Sequence, residues 1–300
     1  MDNVNRRDNE SLFDYKVRLF QNRSNYGLDW EEVRDLLHEP VHSETVKKSA
    51  RGYLQAYEDL SNVKFDNSIL FLNDIHLPFE REDILEIIEK HAHEITHVFI
   101  GGDLLDCYDI SVFTHENKMD IVQELIYGYK WLKRVREILG DIIPIYVIMG
   151  NHEERFKKLV LKDKILQNFI NPNILEMYQD GFKLFVEGKK KCYPAIKNFH
   201  YINNWYTNID GRIIYGHPKD YSNVDGKMTE RFSEYMLNKN ELAEVYIFGH
   251  THKYCQQTVS RRQNAYVIEN GCLCKPMEYT NCGKLNFTPQ HYCYSIIKYN

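Results

Sequence analysis

The chain has 300 residues, 43% of them hydrophobic, which is enough for one large α/β domain with a small appendage. Its formal net charge of -5 gives no global basic field, so binding to nucleic acid would need a local patch or bound metal ions. No apolar run reaches the roughly 18 residues of a membrane span, and the N-terminus lacks the apolar core of a signal peptide. We therefore expect a cytoplasmic protein without membrane contact.

The chain opens with three amphipathic patterns. Apolar side chains recur among charged ones over residues 9–24 and predict a helix that ends before Asn25. A second helix is predicted from Asp29, and a third begins after Ser43, which is predicted to cap it. Residues 1–62 are thus predicted to form a small helical domain.

The short turn between the second and third helices resembles the helix-turn-helix unit of phage and bacterial DNA-binding proteins. The resemblance implies that the third helix reads DNA and presents four polar side chains to it: Thr45, Lys47, Lys48 and Arg51. The charge of the segment argues against DNA, because residues 1–62 carry 9 basic and 12 acidic side chains. A packing cap or a protein-binding arm are the alternatives.

Residues 66–300 are predicted to form a second, α/β domain. Strands at 68–72, 98–100 and 145–149 alternate with helices at 81–91 and 121–139, and two crossovers in a row imply a parallel sheet. The later part is predicted to hold a helix at 153–169, a loop at 189–191, a hairpin joining 201–205 to 212–215, a helix at 228–237, and strands at 245–249 and 265–269. The tail to Asn300 is predicted to close a sheet edge.

Residues with the chemistry of metal ligands follow five of the predicted strands. They are Asp74, His76, Asp103, Asn151, His152, His217, His250 and His252. In an open α/β sheet, ligands bind at the carboxyl edge of the strands, so we expect these side chains to converge. Carboxylate, amide and imidazole groups together suit borderline divalent metals, and an aspartate can bridge two ions about 3.5 to 4 Å apart. Asp103, which follows the turn-forming Gly101 and Gly102, is the bridging candidate.

Two of these ligand pairs have the same spacing. Asp74 and His76 are two residues apart, as are His250 and His252. In extended backbone, residues two apart point to the same side, a spacing that suits a shared metal site.

These residues lie within five motifs: Asp74-x-His76, Gly102-Asp103-x-x-Asp106, Gly150-Asn151-His152-Glu153, Gly216-His217 and Gly249-His250-x-His252. In this order the motifs resemble those of the calcineurin-like metallophosphoesterases, over roughly residues 66–275. The resemblance implies a four-layer α/β/β/α sandwich and two divalent metal ions, with Mn²⁺ as first choice and Fe, Zn or Ni as alternatives. It also implies one ion held by Asp74, His76, Asp103 and His252, and a second held by Asp103, Asn151, His217 and His250.

Ordinary structural roles compete with these assignments. An isolated histidine at a strand end is more often a packing residue, and a chain with 13 histidines yields some motifs by chance. His91, His93 and His97 flank a helix end without aspartate or asparagine partners and are interpreted as solvated or capping residues. For Asp106 and Glu153 two interpretations stay open: a purely structural role, or one that orients a ligand imidazole.

The reaction implied by the resemblance is metal-assisted hydrolysis of a phosphoester, in which His152 faces the phosphate and stabilises charge or protonates the leaving oxygen. The family includes DNA repair nucleases, nucleotide hydrolases and protein phosphatases. Gly-Asp-Leu-Leu-Asp resembles the nuclease version of the second motif, whereas Met149 stands where the phosphatases usually carry a basic residue. We predict a phosphodiesterase or nuclease that contacts DNA through residues 1–62. A small-nucleotide phosphodiesterase or phosphatase is the alternative, and the oligomeric state is left open.

The seven cysteines are an odd number in a chain with no export signal, which favours free thiols over a disulfide framework. Four of them cluster near the end of the chain: Cys272, Cys274, Cys282 and Cys293. They contain no paired Cys-x-x-Cys knuckle, so packing roles are favoured over a structural zinc site.

Overall fold

The computed structural model describes residues 4–7, 10–62, 65–111, 119–186, 188–259, 264–276 and 290–300. The chain divides into two compact units, Met1–Asp66 and Asn67–Asn300. None of the described helices is both long enough and apolar enough to cross a membrane.

The first unit contains three helices: α1 (Leu12–Asn22), α2 (Trp30–Leu36) and α3 (Ser43–Asn62). Its small core is formed by apolar residues of all three, including Leu19, Val33 and Val46. Asp29 caps α2 with a complete capping box, as its position before the helix favours. The predicted capping role of Ser43 is wrong, because α3 already begins at Ser43. His42 lies in the capping position, and its carbonyl accepts from the N–H groups of the first turn.

The second unit contains twelve strands and five helices among its described residues. The strands are β1 (Asn67–Leu72), β2 (His97–Ile100), β3 (Ile145–Ile148), β4 (Phe182–Val186), β5 (Lys189–Tyr193), β6 (Phe199–Ile202), β7 (Tyr206–Ile209), β8 (Ile213–Gly216), β9 (Val245–Phe248), β10 (Tyr254–Thr258), β11 (Tyr266–Asn270) and β12 (Ser295–Tyr299). The helices are α4 (Ile84–His91), α5 (Ile121–Leu139), α6 (Asn151–Lys162), α7 (Glu176–Asp180) and α8 (Lys227–Asn238).

Two five-stranded mixed sheets form the centre of this unit. The first has the order β12-β1-β2-β3-β6, in which all neighbours are parallel except β12, which runs antiparallel to β1. The second has the order β10-β11-β9-β8-β7, with a parallel centre and antiparallel edges. The prediction that the end of the chain closes a sheet edge is confirmed, since β12 is the edge strand of the first sheet.

Three apolar layers hold these sheets and helices together. Phe71, Phe99 and Tyr215 pack between the two sheets. Trp131 of α5 belongs to the cluster on the outer face of the first sheet, and Phe232 of α8 belongs to the cluster on the outer face of the second. Burial of each such side chain contributes about 1.5 to 3 kcal/mol to folding. The predicted four-layer α/β/β/α sandwich is confirmed.

Three sequence predictions are wrong in detail. Residues 201–205 do not form the first strand of a hairpin, because β6 ends at Ile202 in the first sheet and the chain crosses to β7 in the second. Residues 189–191 are not a loop but part of β5, whose lysines stay solvated on a two-stranded hairpin with β4. The helix predicted at 153–169 ends at Lys162, because Asp163 is extended and its carboxylate accepts from the backbone of the following turn.

Candidate metal centre

The predicted ligand residues all lie at one edge of the sandwich, where β1, β2, β3, β8 and β9 end. Five of them are buried and at most 7% exposed: Asp74, His76, Asp103, His217 and His252. Asn151, His152 and His250 are half-buried. The edge therefore brings together every residue that the sequence nominates.

One group of donor atoms surrounds His76 and His252. Their Nε2 atoms face each other at 3.1 Å. Oδ1 of Asp74 lies 3.5 Å from Nε2 of His252 and 3.9 Å from Nε2 of His76. Oδ2 of Asp103 lies 3.8 Å from Nε2 of His76. Two imidazoles and two carboxylates thus surround a common point.

A second group lies on the other side of Asp103. Oδ2 of Asp103 is 3.2 Å from Nε2 of His217, and Oδ1 of Asn151 is 3.0 Å from the same nitrogen. Donor atoms of Asp103, His217 and His250 all lie within 4.8 Å of one another. This group offers the carboxylate, amide and imidazole types expected of a second cation position.

The Asp103 carboxylate connects the two groups. Its Oδ1 accepts a hydrogen bond from the backbone N–H of His152 at 2.9 Å, which anchors it to the first turn of α6. Its Oδ2 faces both His76 and His217 at the distances given above. One oxygen is therefore fixed and the other is shared, which is the arrangement required of a bridging ligand.

The donor set fits two divalent cations. Two buried carboxylates, Asp74 and Asp103, share one small volume, and buried charges need a partner of opposite sign. His76 and His252 point the same type of ring nitrogen at each other, which is favourable only if a proton or a cation lies between them. Cations at the two positions would satisfy all of these groups.

The backbone at the ligands is not extended, contrary to the expectation from their spacing. Five of these residues have φ in the left-handed region: Asp74 (50°), His76 (51°), Asp103 (47°), His250 (89°) and His252 (60°). Such values are uncommon outside glycine and cost on the order of 1 to 3 kcal/mol each. The paired ligands converge because both backbones turn sharply.

Acceptors behind the imidazoles fix their orientation. Nδ1 of His217 lies 2.6 Å from the carbonyl oxygen of Gly101, so Nδ1 is the donor and Nε2 of the neutral ring is left with its lone pair toward the site. Nδ1 of His76 donates in the same way to Oδ1 of Asp106 at 2.7 Å. Of the two interpretations left open for Asp106, this contact supports the orienting one.

Glu153 contacts backbone N–H groups and not a ligand imidazole. Its buried carboxylate accepts from the backbone N–H groups of Asp103 (3.1 Å), Leu105 (2.9 Å) and Gly150 (3.0 Å). Glu153 therefore ties the turn after β2 to the turn after β3, and it acts on the backbone of the ligand loops.

His152 lies beside the cluster and is flanked by charge. Its Nδ1 is 2.6 Å from the Asp106 carbonyl, and its Nε2 is 3.6 Å from Oδ2 of Asp103. Burial disfavours the imidazolium, but the carboxylates of Asp103 and Asp106 outweigh it and raise the pKa of His152 to about 9. The guanidinium of Arg155 lies 3.0 Å from Nε2, so a second cation borders the same position.

Glycine is required where the ligand loops meet. A Cβ at Gly150 would collide with the Asp103 carboxylate and its backbone nitrogen. Gly102 has φ of 80°, and a Cβ there would also press on the His217 ring at 2.8 Å. The glycines before Asp103 and Asn151 thus allow the two turns to approach each other.

Sequence reasoning missed the partners of His252. The amide nitrogen of Gln290 lies 2.8 Å from Nδ1 of His252, and Sγ of Cys274 lies 3.9 Å from the same atom. Gln290 had no periodicity or motif that could have indicated it. Cys274 belongs to the cysteine cluster noted above, and the six described cysteines are all free thiols, as predicted, whereas Cys282 lies outside the described residues.

Comparison with protein families agrees with this geometry. Residues 68–254 match the model of the calcineurin-like phosphoesterases. The chain belongs to the calcineurin-like phosphoesterase family. Membership supports a metal-dependent phosphoester hydrolase, and the groups of candidate ligands agree with it. Residues 1–62 match a second family, the YonJ N-terminal domain. Among curated proteins no significant match to this calcineurin-like phosphoesterase is found.

Several solved structures are similar to it. A predicted phosphoesterase from Streptococcus pneumoniae TIGR4 is 12% identical with a TM-score of 0.28, covering 70% of this chain and 75% of its own. A metallophosphoesterase from Sphaerobacter thermophilus is 13% identical with a TM-score of 0.33, covering 70% and 79%. Vps29 from Chaetomium thermophilum is 11% identical with a TM-score of 0.31, covering 70% and 71%. Likeness at this level carries no argument about function.

Proposed function

We propose that this calcineurin-like phosphoesterase hydrolyses phosphodiesters at a dinuclear metal centre. The observation that carries the proposal is the shared Asp103 carboxylate, whose Oδ2 faces imidazoles of two ligand groups at 3.2 and 3.8 Å. A single cation would leave one of these groups without a partner.

The ligand assignment follows the two groups of donor atoms. Asp74, His76, Asp103 and His252 would hold one ion, and Asp103, Asn151, His217 and His250 the other. When bound, the pair supplies Lewis-acid polarisation of the phosphoryl group and activation of a water molecule. Mn²⁺ is the first choice, because the carboxylate and amide oxygens suit it, and the imidazoles make Fe, Zn and Ni the alternatives.

His152 is proposed as the catalytic residue. Its Nδ1 is engaged by the Asp106 carbonyl, so Nε2 is the atom that can reach a substrate oxygen. Asp103 and Asp106 raise the pKa of the ring to about 9, which favours the protonated form that can donate to the leaving oxygen or stabilise developing negative charge. Arg155 adds a fixed cation beside it, where an anionic phosphate needs one.

Metal analysis with three histidine variants tests this assignment. Wild type is expected to bind close to two Mn²⁺ per chain, and His250→Ala to lose metal. His152→Ala is expected to keep both ions while turnover of bis(4-nitrophenyl) phosphate falls on the order of 10²-fold or more. His93→Ala, at an exposed histidine outside the site, is the control. A saturated wild type with one ion, or a fully active His152→Ala, would contradict the proposal.

We further propose that the diester is DNA, that residues 1–62 form a separate domain that contacts it, and that residues 66–300 supply the chemistry. The support is local: Lys47, Lys48 and Arg51 are exposed on α3, while Val46 and Ala50 of the same helix are buried in the core. A cationic face of this kind suits phosphate contacts, although Lys47 is also 3.3 Å from Glu44.

The salt dependence of binding tests the DNA proposal. Replacing Lys47, Lys48 and Arg51 with glutamine should weaken DNA binding and reduce the slope of log K against log salt by about one per lost phosphate contact. Replacing Lys189–Lys191, the exposed lysines of β5, with glutamine is the matched control and should leave the slope unchanged. Equal slopes for wild type and the α3 variant would refute the proposal. Activity on nucleotides without any DNA binding would favour the small-nucleotide phosphodiesterase.

A further inference from the structure

An aromatic cavity of about 430 Å³ opens directly beside the candidate metal centre. His217 lines one wall, and its imidazole is itself buried against Asn151 and Asp103. The floor consists of Met228 and Phe232, which are 2% and 3% exposed. The cavity therefore lies beside a proposed metal ligand, and it does not take part in the chemistry described above.

Two further rings make the cavity suited to a flat group. Trp205 and Tyr235 line it with ring centroids 5.7 Å apart, and Trp205 is also 6.4 Å from Phe232. Tyr235 is 45% exposed, which leaves much of this large aromatic side chain uncovered at the opening. The rings of Trp205 and Tyr235 are tilted by 59° to each other, and an exposed aromatic face gains free energy by stacking on a planar ligand.

The charges at the opening are already paired. Lys219 forms an ion pair with Glu154, and Arg231 lies 3.0 Å from Asp220. The opening therefore has little net charge to offer a second phosphate, and a neutral group is the better occupant. Its volume falls in the lower part of the roughly 300 to 1,000 Å³ typical of small-molecule sites, which suits one group of nucleoside size.

We propose that this cavity binds the nucleobase of the substrate while its phosphate lies at the metal centre. The inference rests on the proposed function and specifies its substrate class as nucleotide phosphoesters. The base can come from a free nucleotide or from an unpaired nucleotide at a DNA end, because both present the same planar face.

Two esters with the same leaving group test the proposal on the Mn²⁺-loaded full chain. They are thymidine 5′-(4-nitrophenyl phosphate), which carries a base, and methyl 4-nitrophenyl phosphate, which does not. Loss of one stacking partner is worth roughly 1 to 3 kcal/mol, so Trp205→Ala and Tyr235→Ala should each lower the ratio of kcat/KM between the two esters about 5- to 150-fold, chiefly through the KM of the thymidine ester. Trp205→Phe should recover most of it.

The chain offers a matched control for Tyr235. Tyr266 is the same residue type with the same 45% exposure, but it lies on β11 and does not line the cavity. Tyr266→Ala should leave the ratio of the two esters unchanged. A single-stranded oligonucleotide assayed alongside identifies the source of the base: if Tyr235→Ala also slows its cleavage, the base comes from a DNA end as well as from free nucleotides.

Other outcomes overturn the inference. If the cavity variants slow both esters equally, the cavity holds the common 4-nitrophenyl group, and if neither ester is affected, the cavity is no part of substrate binding. If wild type hydrolyses neither ester, the proposed function fails, and calorimetry with thymidine 5′-monophosphate then decides about the cavity. Binding that Tyr235→Ala weakens at least about 5-fold supports a nucleobase site, whereas no binding refutes it.

Discussion

Replacement of Glu153 by glutamine is expected to loosen two ligand-bearing turns at once. The carboxylate accepts three backbone N–H groups, with Oε2 serving Asp103 and Gly150 and Oε1 serving Leu105. A carboxylate accepts at both oxygens, whereas a carboxamide has one acceptor and one donor. In either orientation of the glutamine, at least one buried N–H therefore faces another donor.

The magnitude follows from counting these bonds. In the better orientation the amide oxygen still serves Asp103 and Gly150, and only the N–H of Leu105 loses its acceptor. A buried unsatisfied donor costs about 1 to 3 kcal/mol, so the free energy of unfolding should fall by about that amount. The turn that carries Asp103 is held by two of the three bonds, so metal affinity should fall as well.

Urea unfolding and metal content per chain measure the two effects. Glu154→Gln is the matched control, since the neighbouring carboxylate pairs with two surface lysines, Lys219 and Lys158, the latter at 2.8 Å. Exposed ion pairs contribute about 0 to 1 kcal/mol, so the control should change little. If Glu153→Gln unfolds at the same urea concentration as Glu154→Gln and binds two ions with unchanged affinity, these hydrogen bonds do not hold the turns.

Three other predictions follow from single residues. Gly150→Ala should destabilise the chain by about 1 to 3 kcal/mol and reduce the metal found by elemental analysis, because the added methyl group would overlap Asp103. Gly52→Ala, whose methyl group would lie in open space on α3, should have neither effect. Burial opposes protonation of His217, but Asp103 raises the pKa of this imidazole to about 9. A metal ion must displace that proton, so chelator titrations should show metal affinity rising about tenfold per pH unit between pH 6 and 8. Burial raises the pKa of Glu124 to about 8, so the folded chain holds a proton on this carboxyl that the unfolded chain releases. As the pH rises from 4.5 to 8, the free energy of unfolding of wild type, measured in urea, should therefore fall by on the order of 4 kcal/mol relative to Glu124→Gln. Parallel pH profiles would contradict this.

The convergence of the ligands could be predicted because it follows from topology. Parallel strands place their carboxyl ends at one edge, so a polar residue just after each strand is brought to the same edge. Asp103 after β2 and His217 after β8 meet at 3.2 Å although they belong to different sheets. The strands themselves could be predicted from short segments of β-branched and aromatic residues.

The local backbone at the ligands could not be predicted. Asp74 and His252 have left-handed φ values, which are uncommon outside glycine, and tertiary contacts select this conformation. Gln290 reaches His252 from 38 positions away, and no local pattern encodes such a contact. The crossing between sheets after β6 was missed for a related reason: residues 201–205 have strand-like composition, and the partner strand is chosen by the whole fold.

The strained backbones also link the two metal positions. The N–H of His250, assigned to one ion, donates to Oδ2 of Asp74, assigned to the other, at 2.8 Å. The N–H of His76 donates to the carbonyl of Asp103 at 2.9 Å, so a ligand proposed for the first position is held by the proposed bridging residue. Each metal position therefore depends on a backbone conformation that residues proposed to bind the other ion help to hold. A cation that orders one position reduces the cost of ordering the second, so the two ions should bind as a cooperative pair.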